Sequence, residues 1–141
     1  MKKGALISLQ GRQNYLDQDP DFIELVTEGS FDIHENGWEI CYDESSLTGM
    51  EGVTTTLRCE DSRIILTRTG KLHSQMIFQE GVSHDSLYQS EFGALMVTVR
   101  ATKISVDVNE NGGVVDLVYD IEVERSSVGV VEYHLEIQPQ K

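Results

Sequence analysis

The chain has 141 residues, 39% of them apolar, and sets 24 Asp and Glu against 11 Lys and Arg for a formal net charge of −13. That balance excludes a protein built to neutralise phosphates, so nucleic acid and anionic membrane surfaces are not expected partners. The length suits one domain with a real core, and the modest apolar share suits sheets that bury one face and wet the other.

The first residues, Met1-Lys2-Lys3-Gly4-Ala5-Leu6-Ile7-Ser8-Leu9, imitate the start of a signal peptide. The apolar run is too short for that role and no small-residue cleavage site follows, so it reads as a first strand over 4–14. No stretch approaches the roughly 18 apolar residues of a membrane span, and a cytoplasmic protein is expected. Turn residues then punctuate strands at 21–35, 37–45, 53–60, 63–69, 72–79, 85–91, 94–108, 114–125 and 129–138. Phe31 and Ile33, then Trp38, Ile40 and Tyr42, flank Glu35-Asn36-Gly37. An Asn-Gly pair between alternating runs predicts a type I′ hairpin, because both central residues need positive φ. Asn111-Gly112-Gly113 predicts a second such turn. A short helical turn is expected near 15–21 or 83–87.

Cys41 and Cys59 are the two cysteines. A symmetric hairpin centred near Gly49 and Met50 would set them opposite each other. It would also put Leu57 on the side of Asp43, and a one-residue slip flips every side chain. A different register and free thiols are therefore expected.

The clearest alternation lies near the C-terminus. Val115, Leu117, Tyr119, Ile121 and Val123 alternate with acidic residues, and Val131, Tyr133, Leu135 and Ile137 alternate with Glu132, His134 and Glu136. Between 94 and 108 the apolar phase switches from odd (Leu95, Val97, Val99) to even (Ile104, Val106, Val108), predicting a bulge or bend near 100–103. Ten strands with short links form an antiparallel meander, and closure into an up-and-down β-barrel removes both exposed edges. A sandwich with one strand crossing between sheets is the rival.

The middle of the chain resembles a bacterial family, the YwiB-like β-barrels. The matching elements are Gly52-Val53-Thr54-Thr55-Thr56-Leu57, Leu66-Thr67-Arg68-Thr69-Gly70 and Gln75-Met76-Ile77-Phe78-Gln79-Glu80-Gly81. Tyr88, Phe92-Gly93 and Gly113 with Leu117-Val118-Tyr119 follow in order, so the similarity spans roughly 38 to 137. The resemblance implies a calycin-like (lipocalin-like) barrel. It implies no activity, since the family has no established biochemical function.

Candidate chemistry is sparse. Arg68 shares a strand face with Ile64 and Leu66, and a guanidinium inside a barrel needs a carboxylate partner. That partner is either a ligand, as in fatty-acid-binding barrels, or an internal acid. Arg100, at the expected bend, has the same two readings. Trp38, Tyr42, Tyr88, Tyr119 and Tyr133, with Met76 and Phe78, are the aromatic and apolar residues expected to line the interior. Buried tyrosines also serve simply as core. His34, His73, His84 and His134 lack ligand spacing, and no metal, cofactor or catalytic set is expected.

Two functions follow. The first is a non-catalytic barrel that binds a small apolar ligand, one with a carboxylate if Arg68 holds it. The second is a filled scaffold that docks a partner or forms a homodimer through the acidic strands 116–124 and 132–136. An enzyme is a third option, because some calycin-like barrels decarboxylate substrates with interior Arg, Tyr and Glu. Its signature would be Glu24 or Glu44 inside the barrel beside an Arg and a Tyr, and pattern puts both outside or at a rim.

Overall fold

The computed structural model describes residues 2–15, 19–44 and 51–140. The described residues form ten strands: β1 (Lys2–Tyr15), β2 (Asp21–His34), β3 (Gly37–Asp43), β4 (Val53–Glu60), β5 (Arg63–Gly70), β6 (Ser74–Phe78), β7 (Ser83–Ser90), β8 (Gly93–Asn109), β9 (Gly112–Val123) and β10 (Ser126–Pro139). They lie in one antiparallel sheet in the order β6-β5-β4-β3-β2-β1-β10-β9-β8-β7. Every neighbour is sequential except β1 with β10. The sheet curls until β6 meets β7, giving a nearly closed up-and-down barrel rather than a sandwich.

The closing seam is thin. No ladder joins β6 to β7. The amides and carbonyls of His73 and Gln89 exchange 2.8 Å hydrogen bonds, and Gly81 N donates to Ala101 O at 2.9 Å. Strand β7 is mostly polar and has no buried residue, so little apolar surface pins that edge.

The register shows why the alternation reads so cleanly. Phe31 stands opposite Ile40, Ile40 opposite Leu57, Leu57 opposite Leu66, and Leu66 opposite Met76, an apolar belt on the inner face. On the other wall Leu9 faces both Leu25 and Leu135, and Leu135 faces Val115. Phe31, Ile40, Ile64 and Phe78 lose all contact with solvent. Fully burying side chains of this size contributes about 1.5–3 kcal/mol each.

The phase switch in β8 is a bulge: the register shifts between Ala101 and Lys103, and the Thr102 hydroxyl donates to Val118 O at 3.3 Å. Both Asn-Gly turns form one residue earlier than predicted. His34 pairs with Gly37 around Glu35 and Asn36, neither of which has positive φ, and Asn109 pairs with Gly112 around Glu110 and Asn111. Gly37 is extended, and glycine is required there because a Cβ would collide with the Cys59 carbonyl. The left-handed turns fall instead at Asp61-Ser62 and Glu124-Arg125, with φ of 51° and 64°, then 50° and 70°. The second pair ends β9 two residues before the predicted 125. Tertiary contacts hold it: Glu124 N donates to Met96 O, Glu124 Oε1 accepts from Met96 N, and Arg125 reaches Asp85 at 3.3 Å. Residues 83–87 are strand, not the expected helical turn; part of the alternative site, 16–18, and the Gly49-Met50 hairpin centre lie outside the described residues. Cys59 pairs with Trp38 and Cys41 with Thr56, so the register is not the symmetric one and the thiols are free, as expected.

Outer faces are charged. On β10, the His134 ring lies 2.7 Å from Asp116 Oδ1 and 3.3 Å from Glu136 Oε1. Those hydrogen bonds, the one to Asp116 first, raise its pKa. His134 therefore holds a proton more tightly in the folded than in the unfolded chain. The stabilisation is fully present below the ordinary histidine value and is lost as pH rises through the raised one. With the ring 38% exposed, solvent screens the effect and it is small. Urea midpoints across pH 5–9 are expected to fall more steeply for the wild type than for His134→Gln; parallel curves would refute the linkage.

Candidate functional site

A cavity of about 420 Å³ occupies the barrel interior. Its apolar lining includes Leu9, Ile40, Leu57, Ile64, Leu66, Met76, Phe78, Leu117 and Leu135. It reaches the surface near Asp21, which is exposed. The volume falls in the range of pockets that enclose one small molecule.

One polar row crosses the apolar wall. Tyr42 stands beside Thr55, and Thr55 opposite Arg68, one rung beyond the Ile40–Leu57–Leu66 belt. Glu44 continues the inward phase of Trp38, Ile40 and Tyr42, and its backbone N donates to Val53 O at 2.8 Å. Its carboxylate is inside the barrel with a side chain 2% exposed. Thr55 Oγ1 donates to Glu44 Oε2 at 2.7 Å. Arg68 Nε lies 4.0 Å from the same oxygen, beyond hydrogen-bond reach, and has no hydrogen-bond partner among the described residues.

The opposite wall supplies phenols. Tyr119 packs on Phe78 with ring centroids 4.5 Å apart and on Tyr133 at 6.1 Å. Tyr133 fits because residue 11, across from it on β1, is glycine; a Cβ there would come within 2.9 Å of the ring. Burial raises the pKa of Tyr42, with Glu44 adding to the rise and Arg68 opposing it. Burial also raises Tyr119 well above the usual tyrosine value, helped by Tyr133, and Tyr15 rises for the same first reason. Tyr42, Tyr119 and Tyr15 are therefore neutral at physiological pH.

Of the residues singled out from sequence, Arg68, Tyr42, Met76, Phe78, Tyr88, Tyr119 and Tyr133 line this cavity. Trp38 is buried in the barrel beside Ile33 and Cys59, away from the cavity lining, with its Nε1 unpartnered. Arg100 is a correction: it is exposed and sits opposite Asp120 on the outer face. The bulge flips the phase only after Ala101, so Arg100 keeps the outward phase set by Val97 and Val99. Glu44 is a second correction, inside rather than outside or at a rim. Gln13, Tyr15, Asp21 and Thr55 also line the cavity and were missed. Period two would have found them, since each is in phase with Leu9, Ile23 or Leu57. Among the described residues no three His, Cys, Asp or Glu side chains converge as a metal site.

Fold and cavity together define a ten-stranded up-and-down β-barrel with a partly polar lumen. The chain belongs to the family described as domain of unknown function DUF1934, whose model matches residues 7–137. The uncharacterized beta-barrel protein YwiB of Bacillus subtilis (strain 168) is 25% identical over 107 residues, covering 76% of this chain and 74% of that protein. The crystal structure of ywiB protein from Bacillus subtilis superposes with a TM-score of 0.85 at 18% identity, over 99% of this chain and 94% of that one, which establishes the shared fold.

Proposed function

We propose that this barrel binds one small, mostly apolar molecule with a polar end. The observation that carries the reading is the cavity itself: about 420 Å³, apolar over most of its wall, with Arg68, Glu44, Thr55 and Tyr42 brought together on one side and further tyrosines on the other. A pocket of this design orients a ligand by a few polar groups and holds it by apolar contact. The carboxylate that a ligand would have brought to Arg68 is already supplied by Glu44. A filled scaffold, the alternative, does not fit a cavity of this size. The formal charge of −13 and the acidic outer positions Asp116, Asp120, Glu132 and Glu136 support a water-facing exterior, unlike the apolar band of a membrane barrel, and argue against nucleic acid.

Native mass spectrometry of protein purified without detergent or organic solvent tests the proposal. A co-purifying small molecule that denaturation releases is expected. A mass equal to the bare chain, together with no response to any apolar probe, would end it.

A second reading, acid–base catalysis, is favoured by the meeting of Glu44, Arg68 and Tyr42 in the cavity, since a buried carboxylate beside a guanidinium and a phenol is a proton-transfer constellation. Recovery of the released molecule chemically altered after incubation with fresh protein would distinguish it from binding.

A further inference from the structure

We infer that the polar end of the bound molecule is uncharged and both donates and accepts hydrogen bonds, as a hydroxyl or primary amide does, and that Glu44 is the residue that turns carboxylates away. The inference rests on the reading of the cavity as a binding site.

Charge decides the first half. The charged groups among the described lining residues are Arg68, Glu44 and Asp21. Arg68 and Glu44 cancel inside, and Asp21 adds a negative charge at the mouth. A carboxylate led to Arg68 would become a second anion beside Glu44, whose side chain is almost wholly buried. Like charges at contact in a poorly solvated site repel strongly, and a guanidinium cannot adjust by changing its protonation. The phenols of Tyr42 and Tyr119 stay neutral and offer no relief.

Geometry decides the second half. Arg68 Nε and Glu44 Oε2 are 4.0 Å apart and unbonded to each other, and Nε is buried with no acceptor among the described residues. Such an orphaned donor costs about 1–3 kcal/mol until something accepts from it. An oxygen placed against the pair can accept from Nε, and a hydroxyl or amide hydrogen beside it can donate to the Glu44 carboxylate. One uncharged group thus serves both ions without altering the charge balance. An ammonium would satisfy Glu44 but set a cation against Arg68.

Isothermal titration of the full-length chain at neutral pH with decanol, decanamide, decanoate and decylamine tests the inference, because the four share one chain and differ in the head group. Decanol or decanamide is expected to bind at least about tenfold more tightly than decanoate, a modest fraction of what a buried like-charge contact costs. Glu44→Gln keeps an oxygen for Thr55 and removes the charge; it is expected to raise decanoate affinity about tenfold and so to narrow or abolish the preference for decanol over decanoate. Decanoate or decylamine binding the wild type as tightly as the neutral pair would overturn the inference, as would a Glu44→Gln protein with unchanged preference. The wild-type ranking decides alone if that variant does not fold. Failure of all four ligands to bind the wild type would instead remove the binding-site reading beneath it.

Discussion

Replacing Arg68 with methionine is expected to destabilise the barrel by about 3 kcal/mol, read as a lower urea midpoint at unchanged slope. Methionine fills much of the same volume with adaptable rotamers, so the packing loss is small. The cost comes from Glu44, whose carboxylate would keep the Thr55 hydrogen bond but lose the guanidinium 4.0 Å away. Removing one member of a buried pair costs about 3–5 kcal/mol. The lower end applies because the Arg68 side chain is 13% exposed toward the cavity, where water softens the field. Adding Glu44→Gln should restore most of the loss, since the amide oxygen still accepts from Thr55 and no charge is stranded. If the double variant is no more stable than Arg68→Met alone, charge is not the cause and the packing of Arg68 is.

The sheet faces were legible because period two is fixed by backbone geometry and needs no tertiary knowledge. Val115 to Val123 and Val131 to Ile137 point inward as the alternation predicts, and the window 100–103 that the phase slip in β8 assigned to a bulge contains the observed shift at Thr102. Arg68 was placed by the same logic. Glu44 was equally in phase with Trp38, Ile40 and Tyr42, yet a carboxylate at the end of a strand reads as a rim residue. The register brings Thr55 and Arg68 alongside it, and their hydrogen bond and charge stabilise the buried carboxylate. Register is set by turn geometry, and turn geometry was the weak point. The left-handed pair Glu124-Arg125 uses residues with no turn preference and is held by Met96 and Asp85 from another hairpin, so no local signal existed. The second register shift lies between Ser127 and Gly129 in β10, where glycine lets the backbone pass close to the Asn14 carbonyl.

The thin seam ties these packing arguments to function. Backbone hydrogen bonds hold β6 to β5 along its length, but across the seam, among the described residues, they are confined to its flanks: His73 with Gln89 of β7, and Gly81 with Ala101 of β8. Side chains must supply the rest of the closure. Phe78 is the residue placed to do it: it sits on β6, is fully buried, and its ring lies 4.5 Å from that of Tyr119 on β9, the far side of the seam. The same ring forms part of the cavity wall.

Phe78→Ala is accordingly expected to cost about 3–5 kcal/mol, the range for deleting a buried phenylalanine, of which the lost aromatic pair accounts for about 0.5–1.5 kcal/mol. The space left behind joins an existing cavity, so it is not a sealed void, and the cost should fall nearer the lower figure. Leu87→Ala, half exposed on β7, is the control and should change stability by less than about 0.5 kcal/mol. Hydrogen exchange adds a positional test. Amides of β5 and β6 should lose protection in the Phe78 variant while those at the β1–β10 pairing keep theirs, because only the seam has lost its tie. Ligand preference should move as well: a larger lumen with unchanged Arg68 and Glu44 is expected to favour a longer chain bearing the same neutral head group, so that tetradecanol gains on decanol. Equal protection across all ten strands would mean that the barrel opens as a whole and the seam is not its weak line. An unchanged chain-length preference would mean that Phe78 does not bound the ligand.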